Sequence, residues 1–550
     1  MVSLTEKRMQ PTLFLSLLFF IAYLYSLFTF CGGYYTFEDL FGPLSKSPYI
    51  AISLILFVIC GFIYLYININ SEHSDYIRLL IVIFLVFSKF LVPDVTDSYY
   101  DQSFYDAGGH MIRGAFVTLT GHSDPNIDGY FDLQPAFFWV TAIFINIVYG
   151  SPTSPSDPIF SFFVKWFNII ATMIYIPILY LSFKKYGLKK GEAYLAFFLF
   201  FSLSFGRFHY AAQNYGNALF WLLLALVPDI IEHYDIKKIL TLLPVLTSLI
   251  FVHEGLTIFT VIALASMLMA LALPKKLRDS LQAVFLLLLY LSISWFLFLL
   301  YISKFTLSSF VSTLMSVVKD YLIEGTTEVV EKGLTRAWQP WTNVVLFKAI
   351  FMVILILLAT FTSLELYIKF RGKIYQVMMF VILGITAFLA LVAAALGGAG
   401  YIERIPLVLL PLIAITLTEN MSRESISKTY KKVIVVAALC LVIMGPFVFF
   451  SGRNFQSIST SEDKAGEFLI THAQNIAGLY PEIWITSAFT PLLANSTFTH
   501  DKIYILYWHD FIQTLYYNIG DINALNNYIH KFESTCNIIY FNPRVQFSQC

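Results

Sequence analysis

The chain has little charge for its length. Of its 550 residues 13% are charged, while 58% are hydrophobic and 17% are aromatic. Long runs with almost no charge recur along most of the sequence. This pattern excludes an ordinary soluble domain and indicates a helical membrane protein with many spans. The 35 basic and 35 acidic residues cancel, so the net charge predicts no nucleic-acid partner.

Cysteine is also scarce. The five cysteines are scattered, and no two have the CxxC spacing of a metal or redox site. If the C-terminus lies outside the cell, Cys536 and Cys550 either pair or stay free, and the sequence leaves both open. No early hydrophobic segment ends in a small-residue cleavage site, so we expect the first one to be retained as a span.

Thirteen segments are apolar enough to be candidate membrane spans, since a spanning helix needs about 20 mostly apolar residues. They are 12–30, 49–67, 77–93, 158–183, 191–206, 217–231, 239–253, 256–273, 281–303, 343–362, 374–396, 405–418 and 433–450.

Basic residues predict the orientation of these spans, because lysine and arginine are enriched in cytoplasmic loops. Lys7 and Arg8 place the N-terminus in the cytoplasm. With thirteen spans, the other basic clusters are cytoplasmic too, namely Arg78 and segments 184–190, 232–238, 274–278, 369–373 and 427–432. The sequence thus predicts a multi-pass protein of the cell membrane with an external C-terminus.

Segment 135–150 does not fit the simple count. It is apolar but short, and if it crossed the bilayer the basic segment 184–190 would lie outside. We therefore expect a membrane-embedded or juxtamembrane helix that returns to the external side. The alternative is that it crosses and a later short segment does not.

The predicted fold is mainly α, a polytopic bundle of about 13 spans with a small external C-terminal α/β domain. Three parts are expected: two additional N-terminal transmembrane helices in 1–76, a membrane catalytic domain in 77–450 with an acidic external loop at 94–157, and the external domain in 451–550. In the last part, strands are predicted at 482–488, 502–508 and 536–541, and a helix at 522–532, which suggests a parallel sheet.

The acidic loop is the most unusual stretch. Residues 94–135 contain seven aspartates and one arginine but no lysine or glutamate. Asp97 and Asp101 are four residues apart, as are Asp106 and His110, so each pair would share a helix face. A solvated loop that avoids basic residues is the simple alternative. A carboxylate at membrane depth can also act as a general base, and an Asp/His cluster can hold Mg²⁺ or Mn²⁺.

Other predicted external turns carry polar residues as well. Each of them can be structural, because a Glu–Arg pair can satisfy itself and a His–Glu pair can cap a helix. Ionisable residues near membrane depth are nevertheless costly and tend to line cavities. The residues are Arg207, His209 and Gln213 in 206–216, His253 and Glu254 at a membrane exit, and Glu403 and Arg404 in 397–406.

Segments 101–135, 204–220, 253–257 and 401–412 together resemble the GT-C superfamily of glycosyltransferases. These polytopic enzymes transfer a sugar from a polyprenyl-phosphate-linked donor on the external face. The second segment is similar to the turn that carries an acidic motif in oligosaccharyltransferases, but Gln213 and Asn214 replace the acids. The peptide-recognition motif of those enzymes is absent, and the most similar segment of this chain is 337–341. By motif, the chain is therefore not expected to be an oligosaccharyltransferase.

The resemblance implies a glycosyltransferase that moves a sugar from the lipid donor to a glycan, protein or lipid acceptor. It also implies inversion at the anomeric carbon. It implies a catalytic aspartate. Asp101 and Asp106 are the first candidates for this role, and Asp97 is the next. It implies basic residues on the leaving phosphate. The candidate substrate-binding residues are His110, Gln134, Arg207, His209, Gln213, His253, Glu254, Arg336, Glu403 and Arg404.

Two other functions remain open from the residues. A secondary transporter would need paired repeats and ionisable groups near the bilayer midplane, and the sequence has neither two-half symmetry nor that placement. A non-catalytic lipid-handling membrane protein would keep the spans but tolerate loss of the loop carboxylates. A single external cavity that joins Asp101 or Asp106 to Arg404 would favour the enzyme over both.

Overall fold

The computed structural model describes most of the predicted membrane region and short pieces of the tail. The described residues are 4–30, 43–71, 75–91, 100–102, 105–123, 134–153, 157–204, 211–232, 236–272, 278–303, 315, 342–396, 404–450, 458–459, 479–480, 503–507, 537–542 and 545–549.

These residues are mostly helical. In chain order the helices are α1 Leu4–Phe30, α2 Pro43–Lys46, α3 Pro48–Ile67, α4 Asp75–Val86, α5 Tyr105–Thr120, α6 Pro135–Tyr149, α7 Pro158–Lys185, α8 Lys190–Leu203, α9 Ala212–Glu232, α10 Ile236–Val252, α11 Glu254–Ala272, α12 Arg278–Tyr301, α13 Thr342–Phe370, α14 Lys373–Leu396, α15 Arg404–Ser422 and α16 Lys428–Phe450. A π-helical turn, Phe87–Leu91, continues α4.

Each of the thirteen predicted spans overlaps one of these helices. Seven helices in the described part of the chain are long and apolar enough to cross a membrane, namely α1, α3, α9, α11, α12, α13 and α16. For the remaining six segments the helix is present and the crossing stays a prediction.

Local sequence explains several helix starts. Ser47 caps α3, because its hydroxyl accepts a hydrogen bond from the Tyr49 amide at 3.3 Å, and Pro48 occupies the first turn. In α8, the Glu192 carboxylate accepts a bond from the Lys189 amide at 2.7 Å. Both interactions satisfy amide groups that the first helical turn leaves without a partner.

Apolar side chains lie on both the inside and the outside of the bundle. The buried ones form a continuous core that runs through most of the helices. Many large ones also lie on the outer surface, for example Phe28, Phe296 and Val433. A soluble protein of this size would not expose so many large apolar side chains, so the bundle is that of a membrane protein.

The additional N-terminal helices join this core. α1 packs on α3, and α3 contacts α4, α8 and α16. The Tyr23 hydroxyl of α1 donates to the Ser88 carbonyl in the π-helical turn at 2.8 Å. The division of the chain at residue 76 stays a prediction.

One end of the bundle, called the ion-pair end, collects charged residues. Lys185 Nζ lies 2.6 Å from Asp229 Oδ2, and Lys190 Nζ lies 2.6 Å from Asp75 Oδ2. Arg78 also pairs with Asp75, at 3.1 Å. The hydrogen bond to Asp75 raises the pKa of the exposed Lys190 ammonium. The start of α4, the end of α7, the start of α8 and the end of α9 therefore lie together.

The end of α15 lies at the same place. Arg423 pairs with Glu419 at 3.0 Å and stacks over the Phe370 ring, with its guanidinium carbon 4.3 Å from the ring centre. Glu192, near the start of α8, is close enough to Glu419 to interact with it electrostatically. The charge pattern of the sequence predicts these same helix ends to be cytoplasmic, and that side of the membrane stays a prediction.

The opposite end, called the Lys89 end, is organised around one buried lysine. Lys89 Nζ donates to the carbonyls of Phe201 at 2.8 Å, Ser202 at 2.9 Å and Ser204. It lies 4.8 Å from the centre of the Phe449 ring. The π-helical turn, the end of α8 and the end of α16 therefore meet here.

Trp221 brings α9 and α15 to the same end. Its indole Nε1 donates to the Val408 carbonyl in the first half of α15 at 3.0 Å, and its ring contacts Phe200 near the end of α8. Since α15 ends near the start of α8, α15 begins at the Lys89 end. α9 and α15 therefore run in the same direction from that end.

Six short strands are described outside the bundle. β1 Tyr100–Gln102, from the acidic loop, pairs antiparallel with β2 Ile458–Ser459, from the tail. The strands β3 Leu479–Tyr480, β4 Ile503–Tyr507, β5 Asn537–Asn542 and β6 Val545–Gln549 form a sheet of order β3-β4-β6-β5.

This sheet agrees with two predicted strands and differs from the predicted pairing. β4 and β5 coincide with the strands predicted at 502–508 and 536–541, whereas 482–488 and 522–532 lie outside the described residues. A wholly parallel sheet is wrong, because β6 inserts between β4 and β5 and pairs antiparallel with both. The external location of the tail stays a prediction.

Candidate functional site

The structure describes part of the predicted catalytic loop. Asp101 lies in β1, so it is in an extended strand, and the prediction that Asp97 and Asp101 share a helix face is wrong. Asp106 and His110 do lie one turn apart in α5, as predicted. β1 contacts α5 and the neighbouring α7.

Five other predicted residues lie outside the described part of the chain. They are Asp97, Arg207, His209, Arg336 and Glu403. Arg404 is described as the first residue of α15, by its backbone. Its position at the Lys89 end follows from the direction of α15.

His110 is buried between two helices. Its side chain is 6% exposed, and its ring centre lies 5.6 Å from that of Phe137 and 6.3 Å from that of Phe138, both in α6. The imidazole thus fixes α5 against α6. A buried ring in this position orients the helix that also carries Asp106.

Gln134 immediately precedes α6, with Pro135 in the first helical turn. The side chain does not cap the helix, and its buried Oε1 accepts no hydrogen bond among the described residues. Buried amide oxygens usually have a partner. Gln134 is therefore an unsatisfied acceptor at the start of α6 among the described residues.

The start of α9 packs against α6 and α7. Tyr215 contacts Phe137 with ring centres 5.5 Å apart and Phe167 with ring centres 5.6 Å apart. The Tyr175 hydroxyl of α7 donates to the Asn214 backbone carbonyl at 2.9 Å. The polar first turn of α9, which includes the half-buried Gln213, is thus held inside the bundle.

α9 and α11 approach closely through a glycine. A Cβ atom on Gly216 would lie 2.4 Å from Leu256 Cδ1 and 3.2 Å from His253 Cβ. Any larger residue at 216 would push the two helices apart. Gly216 therefore sets the distance between the start of α9 and the His253–Glu254 pair.

His253 sits between α10 and α11 and caps the latter. Its Nδ1 accepts a hydrogen bond from the Leu256 amide at 3.2 Å, so in this arrangement the ring proton is on Nε2. Glu254 is the first residue of α11 and is half-buried. The capping alternative for the His–Glu pair therefore describes His253.

The predicted residues form a connected set at the Lys89 end. Contacts lead from His110 through Phe137 and Tyr215 to Gly216 and His253, while Gln134 and Gln213 flank the same helices. β1 with Asp101 and the first turn of α15 with Arg404 come from other parts of the chain. The arrangement offers polar groups around the starts of α6, α9 and α11.

Two buried polar residues at this end are missed by the sequence reasoning. Lys89 is 2% exposed, and Asn217 in α9 is 0% exposed. Both lie inside segments predicted as spans. A polar residue within a predicted span is costly unless it has a partner or a function, and that signal could have found both.

A metal centre stays a prediction. Among the described residues, no group of three or more His, Cys, Asp or Glu side chains is arranged to hold an ion. The Asp/His cluster predicted to hold Mg²⁺ or Mn²⁺ belongs to the acidic loop, much of which lies outside these residues.

Comparison with solved structures finds similarity to an enzyme from an archaeon. No protein-family profile and no curated protein sequence matches the chain. The chain is similar to the Archaeoglobus fulgidus oligosaccharyltransferase, crystallised tethered to an acceptor peptide containing an NVT sequon, with 13% identity and a TM-score of 0.47. The similarity covers 82% of this chain and 64% of that one, so this chain spans less than two thirds of its length. A TM-score of this size does not establish a common fold.

Proposed function

We propose that the chain is a membrane glycosyltransferase of the GT-C type that moves a sugar from a polyprenyl-phosphate-linked donor to an acceptor on the external face. The observation that carries this proposal is the convergence of predicted substrate-binding residues at the Lys89 end. His110, Gln134, Gln213, His253 and Glu254 lie on or beside helix starts linked by direct contacts. A solvated loop with no chemical role would not require this convergence.

The acidic loop supplies the catalytic carboxylate in this proposal. Asp101 or Asp106 takes the proton of the acceptor hydroxyl as its oxygen attacks the anomeric carbon. The bond from that carbon to the phosphate oxygen breaks, and the polyprenyl phosphate leaves with the electron pair. A single displacement of this kind inverts the anomeric configuration.

Arg404 stabilises the leaving phosphate. It opens α15, where backbone amides of the first turn point toward the end of the bundle and the helix dipole favours an anion. The planar guanidinium can hold two phosphate oxygens at once. Arg207 and Arg336 are the further candidates for this charge.

The remaining parts of the proposal concern partners and location. The donor reaches the site from the bilayer, the acceptor is a glycan, a protein or a lipid, and Mg²⁺ or Mn²⁺ assists if the acidic loop binds a cation. The N-terminus is cytoplasmic, and the tail from 451 to 550 is external. Polar groups on His110 and Gln134 orient the sugar or the acceptor.

The test is a donor panel. Purified full-length protein is incubated with radiolabelled polyprenyl-phosphate sugars, with and without Mg²⁺, Mn²⁺ or a chelator, and released and transferred sugar is measured. We expect turnover of at least one donor. In the Asp101→Asn/Asp106→Asn double variant, turnover should fall by about 10²- to 10⁴-fold with little change in melting temperature.

Asp229→Asn is the matched control, since this aspartate lies at the ion-pair end and should leave turnover unchanged. Full activity in the double variant would contradict the catalytic role of both acids. Transport of an intact donor across proteoliposomes, with no bond cleavage, would instead favour a transporter.

A further inference from the structure

Asn217 is a fully buried amide that the bundle does not satisfy. Its side chain is 0% exposed, and neither Nδ2 nor Oδ1 has a hydrogen-bond partner among the described residues. A buried amide without a partner is destabilising, and such groups are rare in folded proteins. Asn420 is also 0% exposed, but its Nδ2 donates to the Thr362 and Thr416 carbonyls, so only its Oδ1 has no partner among the described residues.

The position of Asn217 follows from its neighbour one turn along α9. Residues four apart in a helix lie on the same face, and Trp221 on that face donates to the Val408 carbonyl of α15. Asn217 therefore faces α15, one turn closer to the Lys89 end than Trp221.

α15 has its first turn at the same level. Because α9 and α15 start at the same end and run in the same direction, one turn back from Val408 is Arg404, the first residue of α15. The first turn of α15 therefore lies level with Asn217, on the side of α9 that carries Trp221. That helix end has amide groups without intrahelical partners and a favourable dipole for an anion.

We propose that Asn217 binds the head group of the lipid-linked donor, with Nδ2 donating to a non-bridging phosphate oxygen held at the start of α15. This inference rests on the proposed function and adds a residue to its donor site. A phosphate diester offers only acceptors, so Oδ1 accepts from a hydroxyl of the attached sugar. A phosphosugar therefore satisfies both atoms of the amide, for which the described residues of the protein offer no partner.

The test measures binding rather than turnover. Full-length protein in detergent is titrated with a polyprenyl phosphate, with the matching polyprenol, and with inorganic phosphate, and the Kd and melting temperature are recorded. The wild type should bind the polyprenyl phosphate well and the other two weakly. In Asn217→Leu, the Kd should rise about tenfold or more, as expected for loss of a hydrogen bond to a charged group.

The sign of the stability change separates binding from structure. Asn217→Leu replaces an unsatisfied amide with an apolar group, so the melting temperature without ligand should stay equal or rise. Asn420→Leu is the matched control: it removes two hydrogen bonds, so it should lower the melting temperature and leave the Kd unchanged. Asn217→Ala should weaken binding by a similar factor. It replaces the Leu variant in the test if the Leu variant does not fold.

The outcomes distinguish failure of the Asn217 role from failure of the proposed glycosyltransferase function. If the wild type does not bind the polyprenyl phosphate in preference to the polyprenol, the proposed donor class is wrong. The proposed role of Asn217 is then overturned as well. Equal affinity for inorganic phosphate would indicate a free-phosphate site and overturn the lipid-donor assignment. If the wild type binds and a folded Asn217 variant keeps the same Kd, only the role of Asn217 is overturned.

Discussion

Lys89 shows how one residue can fix several parts of the proposed site. Its three ammonium protons meet three backbone carbonyls at the end of α8, which an α-helix leaves without amide partners. The acidic loop begins just after Lys89, and the turn with Arg207 and His209 begins just after Ser204. The position of Lys89 therefore fixes the end of the π-helical turn against the end of α8.

Replacing Lys89 by Met should destabilise the protein strongly. The change leaves buried carbonyls without a donor, and each such loss costs about 1–3 kcal/mol. We expect a large drop in melting temperature, measured on the purified protein. Lys190→Met is the control, because Lys190 is 65% exposed in its ion pair and exposed pairs contribute little. A Lys89 variant as stable as the Lys190 variant would contradict this role.

Arg404→Lys tests the phosphate role at the same scale. Lysine keeps the positive charge but cannot hold two phosphate oxygens in one plane. We expect weaker binding of a polyprenyl-phosphate sugar and slower turnover, with a melting temperature close to that of the wild type. A variant that binds donor normally, or whose main defect is lost stability, would assign Arg404 a structural role instead.

At the scale of elements, the sequence predicted helices better than it predicted their partners. Every predicted span overlaps a helix, because long apolar runs leave few alternatives. The start of α9 was missed by five residues, since Gln213 and Asn214 are polar and lower the local hydropathy. Tyr175 makes that polar turn stable by bonding to Asn214, and this partner lies 39 residues away in sequence.

In the site and in the sheet, too, the sequence did not predict which distant segments contact each other. The pattern of polar residues near helix ends identified His110, Gln134 and His253, but it gave no sign that His110 packs on Phe137. β6 was missed because its polar residues interrupt the apolar pattern, and its insertion between β4 and β5 changes the sheet. Contacts between distant segments cannot be read from local periodicity.

The pairing of β1 with β2 leads to a prediction for the tail. Proline at both Ile458 and Ser459 removes the backbone amides that a strand pair uses. We expect slower turnover, faster protease cleavage between residues 92 and 104, and an intact helical bundle by circular dichroism. The Ile458→Val/Ser459→Thr variant retains those amides and should behave as the wild type. If turnover and protease cleavage are both unchanged in the proline variant, the tail does not position the acidic loop.

At the scale of the whole molecule, the bundle has two unlike ends. The ion-pair end joins Lys185 of α7 to Asp229 of α9, Lys190 of α8 to Asp75 of α4, and Arg423 to Glu419 of α15. The Lys89 end instead contains buried polar groups and the strand from the acidic loop. α6 lies near this second end along its length, since Phe144 contacts Phe163 near the start of α7 and Phe137 contacts the start of α9.

The sidedness of these ends can be measured with two serine positions. Ser151, just before α7, and Ser425, just after α15, are both exposed and lie at opposite ends. Each is changed to cysteine in a background without the native cysteines, and intact cells are treated with a membrane-impermeant maleimide. Ser151→Cys should be labelled from outside and Ser425→Cys only after lysis. The reverse pattern would overturn the orientation.

Lys89 also constrains the order in which the protein is made. Its carbonyl partners are 112 to 115 residues further along the chain, so the ribosome has not yet synthesised them when α4 reaches the insertion machinery. A lysine without a partner is costly in hydrocarbon, and its long side chain can then keep the ammonium near the lipid headgroups. α4 can settle to its final depth only once α8 arrives, which couples the insertion of these two helices during biosynthesis.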